Sequence, residues 1–198
     1  MIKQYYNGLA AGGMIAIAAA VNLAVGGIAG AIFFSVGLAA ILYFQFDLYT
    51  GKAGLVGEGK LKILPLLAIL GENFLGAVLA GLALGSINAG AANAAYALWQ
   101  TRLVAHPLIL LVKGFFCGIL MYFAVTAYNS EKKIEFVILP VTAFILAGFC
   151  HSIADMGYLA IASSATDGTL YAKDMWPLIP VIFGNFLGCV SIPLIKRL

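Results

Sequence analysis

Charge is what this sequence has least of: 10% of its 198 residues are charged and 63% are hydrophobic. A soluble globular domain carries roughly 25% charged and about 45–50% apolar residues, so the shortage excludes that class and points to a membrane protein. The formal net charge of +3 is too small for a nucleic-acid surface, and the basic residues fall in short turns rather than along one stripe. Cysteine is also scarce. Cys117, Cys150 and Cys189 stand singly in apolar runs, without CxxC spacing or an even-numbered framework, and read as small packing residues. There is no nucleophile elbow, HExxH helix or metal-ligand cluster, and no glycine follows a strand into a phosphate-binding loop. Enzymatic signatures are therefore missing, and neither a cofactor nor a metal is expected.

What is present is a series of apolar runs: Leu9 to about Val25, Ile28 to Phe46, Ala53 to Val56, Leu61 to Ala83, Leu108 to Tyr128, Phe136 to Phe149, Met156 to Ala162 and Leu178 to Ile195. A helix needs about 20 mostly apolar residues to cross a hydrocarbon core of about 30 Å, so the chain predicts six spans in one domain, residues 1–198. The first run follows a basic residue, but no polar cleavage region succeeds it, and it is taken as a retained span rather than a signal peptide.

The two half-length runs each follow a long one across a polar break, QFDLYTGK (Gln45 to Lys52) and CHSIAD (Cys150 to Asp155). The second and fifth spans therefore look interrupted in mid-membrane. Irregular backbone is tolerated at that depth only inside protein or beside a watery cavity, so two such breaks imply a pathway. The halves also echo each other: Asn73-Phe74-Leu75-Gly76 recurs as Asn185-Phe186-Leu187-Gly188, each in the span after an interrupted one. Three spans per half invert the second half, giving repeats at approximately 1–85 and 106–198. Interrupted helices at matching places in inverted repeats point to a transport site near the midplane.

The basic residues orient the chain. With a cytoplasmic N-terminus the inside carries Lys3, Lys60, Lys62, Lys132, Lys133, Lys196 and Arg197, against Arg102 and Lys173 outside. That asymmetry predicts a multi-pass protein of the cell (inner) membrane with both termini cytoplasmic. The polar stretch from Ser86 to His106 then faces outward, either as a cap on the pore or as a solvated loop.

Asp47, Thr50, Lys52, Glu72, Lys113, His151 and Asp155 are retained inside the apolar frame although such groups are costly there. Two readings of His151 stand: a neutral imidazole bonded to a carbonyl freed by the break, or a group that donates a hydrogen bond, a charge or a proton to a passing anion. Desolvation favours the neutral donor at rest. Lys52 stands where a half-helix begins, so it either adds to an anion-attracting helix N-terminus or snorkels or pairs with Asp47, Glu58 or Glu72.

GFCHSIADM resembles the GFxHSIANM signature of the formate/nitrite transporter family, and DLYTGKAG resembles that family's DLFTS loop. GNFLG, Gly184 to Gly188, matches its GNxxG pattern, and FSVGL, Phe34 to Leu38, fits the run before the first loop. The resemblance runs from the first span through the sixth. It implies a homopentamer of aquaporin-like protomers, each with its own pore for small monovalent anions such as formate, nitrite or hydrosulfide. It further implies that His151 and Thr50 face the anion between two apolar constrictions formed by Leu38, Leu48, Tyr49 and Phe144, with Phe34 nearby, and that Arg102 faces the outer vestibule. Five residues depart from the family pattern: Asp155 replaces asparagine, Glu72 stands where glycine is common, Gly51-Lys52 replaces small polar residues, and Gly118 stands where asparagine is often found. Two readings of the acidic residues stand: they are matched by Lys52 and Lys113, or they mark altered selectivity.

The expectation is thus an all-α membrane channel or transporter, six helices in two inverted three-helix repeats, its substrate pathway carrying His151, Thr50, Lys52 and Asp155. The alternatives are a neutral-solute channel for water, ammonia or undissociated acid, and a non-conducting membrane sensor or structural subunit.

Overall fold

A computed structural model describes residues 2–165 and 172–197, with only the backbone for residues 2–5 and 172. The side chain of Lys3 therefore lies outside the described residues. Among those described, every regular element is helical: α1 (Ile2–Val25), α2 (Gly27–Phe44), α3 (Tyr49–Gly57), α4 (Ile63–Ile87), α5 (Ala89–Leu103), α6 (Pro107–Glu131), α7 (Glu135–Leu146), α8 (Ser152–Ser163), a 3₁₀ turn (Ala172–Met175) and α9 (Leu178–Ile195).

Five helical segments, Tyr6–Val25, Gly27–Phe44, Ile63–Ile87, Pro107–Glu131 and Lys173–Ile195, are long and apolar enough to cross a membrane, and Glu135–Leu146 is a shorter apolar helix. Large apolar side chains point outward from most of them, including Leu64, Leu79, Leu139 and Phe183. Polar groups point inward instead, with Ser35, Thr50, Asn73, Arg102, His151, Ser152, Asp155 and Asn185 buried. Contiguous exposed apolar surface of this extent is unfavourable in water and natural in lipid. The molecule is a multi-pass membrane protein.

The helix ends at the two polar stretches share one design. At the end of α2, Gln45 adopts φ 59° and the Phe46 amide donates back to the Ile41 carbonyl at 2.9 Å. At the end of α7, Gly148 adopts φ 66° and the Phe149 amide donates to the Phe144 carbonyl at 3.0 Å. Both ends close with the left-handed residue and six-to-one bond of a Schellman cap, which satisfies carbonyls that lipid could not. Glycine suits this φ at Gly148 without a Cβ penalty. Leu48 and His151 then run extended, and α3 and α8 begin immediately after them.

The packing is paired in the same way. α1 lies along α4 as α6 lies along α9; α1 packs on α2 as α6 does on α7; α8 meets α1 and α4 as α3 meets α6 and α9; and α2 meets α7. The first crossings are close. A Cβ on Gly12 would collide with the Asn73 carbonyl oxygen, and one on Gly118 with that of Asn185. Small residues allow such backbone approach between membrane helices.

One expectation is corrected. Most of the stretch from Ser86 to His106 is not a loop: it is helix α5, started by the Asn88 side chain accepting from the Ala91 amide at 3.0 Å and rich in alanine, the strongest helix former. Ala91, Ala92, Ala95, Trp99 and Arg102 form its buried face, and it packs on α8 and α1.

Candidate functional site

The two helix breaks are stapled to the scaffold by equivalent asparagines. Asn73 on α4 donates to the carbonyls of Gly8 and Asp47 at 2.8 Å each and accepts from the Tyr49 amide at 2.7 Å. Asn185 on α9 donates to the carbonyls of Gly114 and Cys150 at 2.8 Å each and accepts from the Ser152 amide at 2.7 Å. Each side chain thus ties one break to the neighbouring long helix and satisfies one carbonyl and one amide of the break that would otherwise be orphaned in a dry interior. Both were quoted in the sequence as a repeat, but their role was not foreseen. An asparagine at one register of two apolar helices was the signal available.

Held this way, the breaks bring Thr50 and His151 together although they are 101 residues apart: Thr50 Oγ1 lies 2.9 Å from His151 Nε2, both buried. The other ring nitrogen, Nδ1, accepts from the Ala154 amide at 3.1 Å and so caps α8. An amide can only donate, so Nδ1 carries the lone pair and the proton sits on Nε2, donating to Thr50. Thr50 keeps its own hydroxyl proton to offer onward. The chain Ala154 N–H to His151 to Thr50 is polarised in one direction.

The walls around this pair are apolar. Phe144 stacks on His151 with ring centroids 5.7 Å apart, and Phe34 meets Phe144 edge-on at 5.8 Å. Leu38 and Leu48 are buried and line one end of a recess of about 520 Å³, whose lining does not include Thr50 or His151. Tyr49 turns to α9 instead, where its hydroxyl donates to the Ile182 carbonyl at 3.2 Å.

The recess itself is polar and predominantly basic: Lys52, Lys60, Lys132 and Glu58 line it, with Gln45, Thr126, Asn129 and Ser130. Lys52 pairs with Asp47 at 2.9 Å, one of the partners the sequence allowed. Glu58 accepts from Lys60 at 2.7 Å and from the Tyr122 hydroxyl at 3.1 Å, and the Lys60 hydrogen bond holds its carboxyl below the usual range.

Asp155 finds neither Lys52 nor Lys113 at pairing distance. Its partner is Arg102, with Nε and Oδ2 3.5 Å apart and the side chains 9% and 2% exposed. α5 carries Arg102 into the bundle to reach it, which no local pattern announced. Glu72 packs against Gly8, where a Cβ would collide with its carboxylate.

Residues 1–195 match the formate/nitrite transporter family. The chain belongs to that family. This transporter therefore comes from a family of membrane transport proteins, not enzymes. Its fold is similar to that of a pentameric formate channel with formate bound, at a TM-score of 0.83 and 21% identity over 99% of this chain and 95% of that one. It is similar also to an FNT family ion channel, at a TM-score of 0.87 and 19% identity over 99% of this chain and 89% of that one. No curated protein matches the transporter's sequence.

Proposed function

We propose that this transporter passes small monovalent weak-acid anions, of the class of formate, nitrite or hydrosulfide, past the Thr50–His151 pair. That pair carries the reading: two buried hydrogen-bonding side chains meet at the two helix breaks beside the apolar rings of Phe144 and Phe34, with Leu38 and Leu48 also buried. A bare anion would lose its hydration there at a large cost, and a weak acid close to neutralisation loses far less. The Thr50 hydroxyl is the donor to the anion. Proton coupling runs through His151: a proton arriving at Nδ1 releases the Ala154 amide, the Nε2 proton moves to Thr50, and the Thr50 proton moves to the anion.

The architecture we propose is six spans in two inverted repeats, α1 to α4 and α6 to α9, with α2–α3 and α7–α8 as the interrupted spans. The matched Schellman caps, asparagine staples and helix pairings support it. The basic recess opens to the cytoplasm, as do both termini, because Lys60, Lys62, Lys132, Lys133, Lys196 and Arg197 belong to that end. α5 then lies on the outer side of the cell (inner) membrane. Lys52, Lys60 and Lys132 draw anions into the recess. The family and the pentameric neighbour support a homopentamer.

Reconstitution into liposomes carrying an internal pH dye tests the function. Formate or nitrite should drive an internal pH change or a current. If neither does while water or ammonia permeates, the pathway is a neutral-solute channel; if nothing permeates, the chain is a non-conducting subunit.

A further inference from the structure

The two breaks are matched station by station, and beyond them the halves diverge. Gln45, Phe46 and Leu48 correspond to Gly148, Phe149 and His151. Four residues after Leu48 stands Lys52; four residues after His151 stands Asp155. On the α3 side Lys52 lines an open recess. On the α8 side the corresponding space is taken by α5, which packs on α8 and α1 and brings Arg102 to Asp155.

The contact between them is a long, poorly aligned ion pair. Arg102 Nε lies 3.5 Å from Asp155 Oδ2, and Nε and both carboxylate oxygens are buried without a well-formed hydrogen bond. Buried ionic groups are normally held by aligned, charge-assisted bonds at about 2.7–2.9 Å, and a pair short of them leaves desolvation poorly offset. Among the described residues, no second carboxylate acts on Arg102. Lys113 is the second cation within electrostatic reach of Asp155; Cys117, Cys150 and Tyr158 are other titratable groups facing the pair, and the Tyr158 hydroxyl is engaged by Asn22 at 3.2 Å. Arg102, Lys113 and Asp155 together therefore carry one net positive charge.

We propose that Arg102 is an anion-binding position one helical turn beyond His151, and that Asp155 is a tethered carboxylate occupying it until a substrate anion takes its place. This rests on the anion reading above. A carboxylate such as formate offers the same two oxygens to the guanidinium as the Asp155 side chain does, and unlike a tethered group it can turn to meet the donors squarely. Displaced, Asp155 remains in the field of Lys113. One monovalent anion neutralises the cluster and a divalent one overcharges it, so Asp155 sets the charge the position accepts.

Formate flux through the full chain in liposomes is the test, comparing the half-saturating formate concentration of the unaltered protein, Asp155→Asn and Arg102→Gln. Removing the tethered competitor should lower that concentration several-fold, and removing the guanidinium should raise it several-fold, with the maximal rate less affected. Unaltered values in both variants, with normal flux, would overturn the exchange and leave the anion reading standing. Absence of formate flux in the unaltered protein would overturn both. A second measurement needs no folded Asp155 variant: isotope-labelled formate added to the unaltered chain should perturb a protein carboxylate band in the infrared difference spectrum, and Arg102→Gln should abolish that change. A spectrum without the perturbation sinks the exchange.

Discussion

Thr50 Oγ1 and His151 Nε2 meet at 2.9 Å across the two helix breaks, and the proton between them belongs to the histidine because its Nδ1 is already accepting from Ala154. Thr50→Val keeps the shape and deletes the acceptor. With Nε2–H left buried and unpaired, the protein should lose about 1–3 kcal/mol of stability and most of its formate flux, and Thr50→Ser should recover both. Thermal unfolding in detergent and liposome flux are the measurements. Full flux in the valine variant would remove Thr50 from the pathway.

His151 has two tasks that substitution can separate. As the cap of α8 it resembles asparagine, the preferred capping residue, so His151→Asn should keep the cap and lose only the Thr50 contact. His151→Phe should be less stable than His151→Asn by about 0.5–2 kcal/mol for the lost cap. Both lack Nε2, and both should depress flux and flatten its pH profile. If the asparagine variant transports with an unchanged profile, His151 is a cap and nothing more.

Asn73 and Asn185 make matching sets of three hydrogen bonds. Alanine at either position orphans one amide and one carbonyl of the break, at about 1–3 kcal/mol for each buried group. Each variant should therefore be destabilised by several kcal/mol, to a similar degree. A small loss in one and a large loss in the other, read from unfolding curves, would contradict their equivalence.

Lys52 is paired with Asp47 but 37% exposed, so Lys52→Met should change stability by about 1 kcal/mol or less. Flux should respond more: the recess loses one cation and Asp47 loses its counter-ion, raising the half-saturating formate concentration, with a smaller salt dependence than in the wild type. An unaltered value would confine Lys52 to neutralising Asp47.

Glu58 supplies a pH test. Its carboxyl is held low chiefly by the Lys60 hydrogen bond, so its contribution is complete at neutral pH and is lost as pH falls through that lowered value. The Lys60 side of the pair is 70% exposed, and the effect is small. Glu58→Gln should abolish this part of the acid dependence of unfolding; identical acid profiles would show that the Lys60 contact contributes nothing.

Much of the fold was legible because membrane insertion writes itself into local composition. Apolar runs gave the long helices, and QFDLYTGK and CHSIAD gave the breaks, since a polar cluster in mid-span has no other economical place. His151 and Thr50 could be named for the same reason. α5 was missed because its alanines and scattered polar residues carry little hydropathy, and only its packing against α8 and α1 makes one face a buried one.

The sequence by itself determined the membrane class, the two interruptions and the residue types at them, because each depends on neighbours within a few positions. Only the tertiary structure decided the partners: Thr50 with His151, Asn73 and Asn185 with the breaks, Lys52 with Asp47, and Arg102 with Asp155. Most of these join groups far apart in the chain, and hydrogen bonds and ion pairs are set by distances of a few ångströms that linear spacing does not encode.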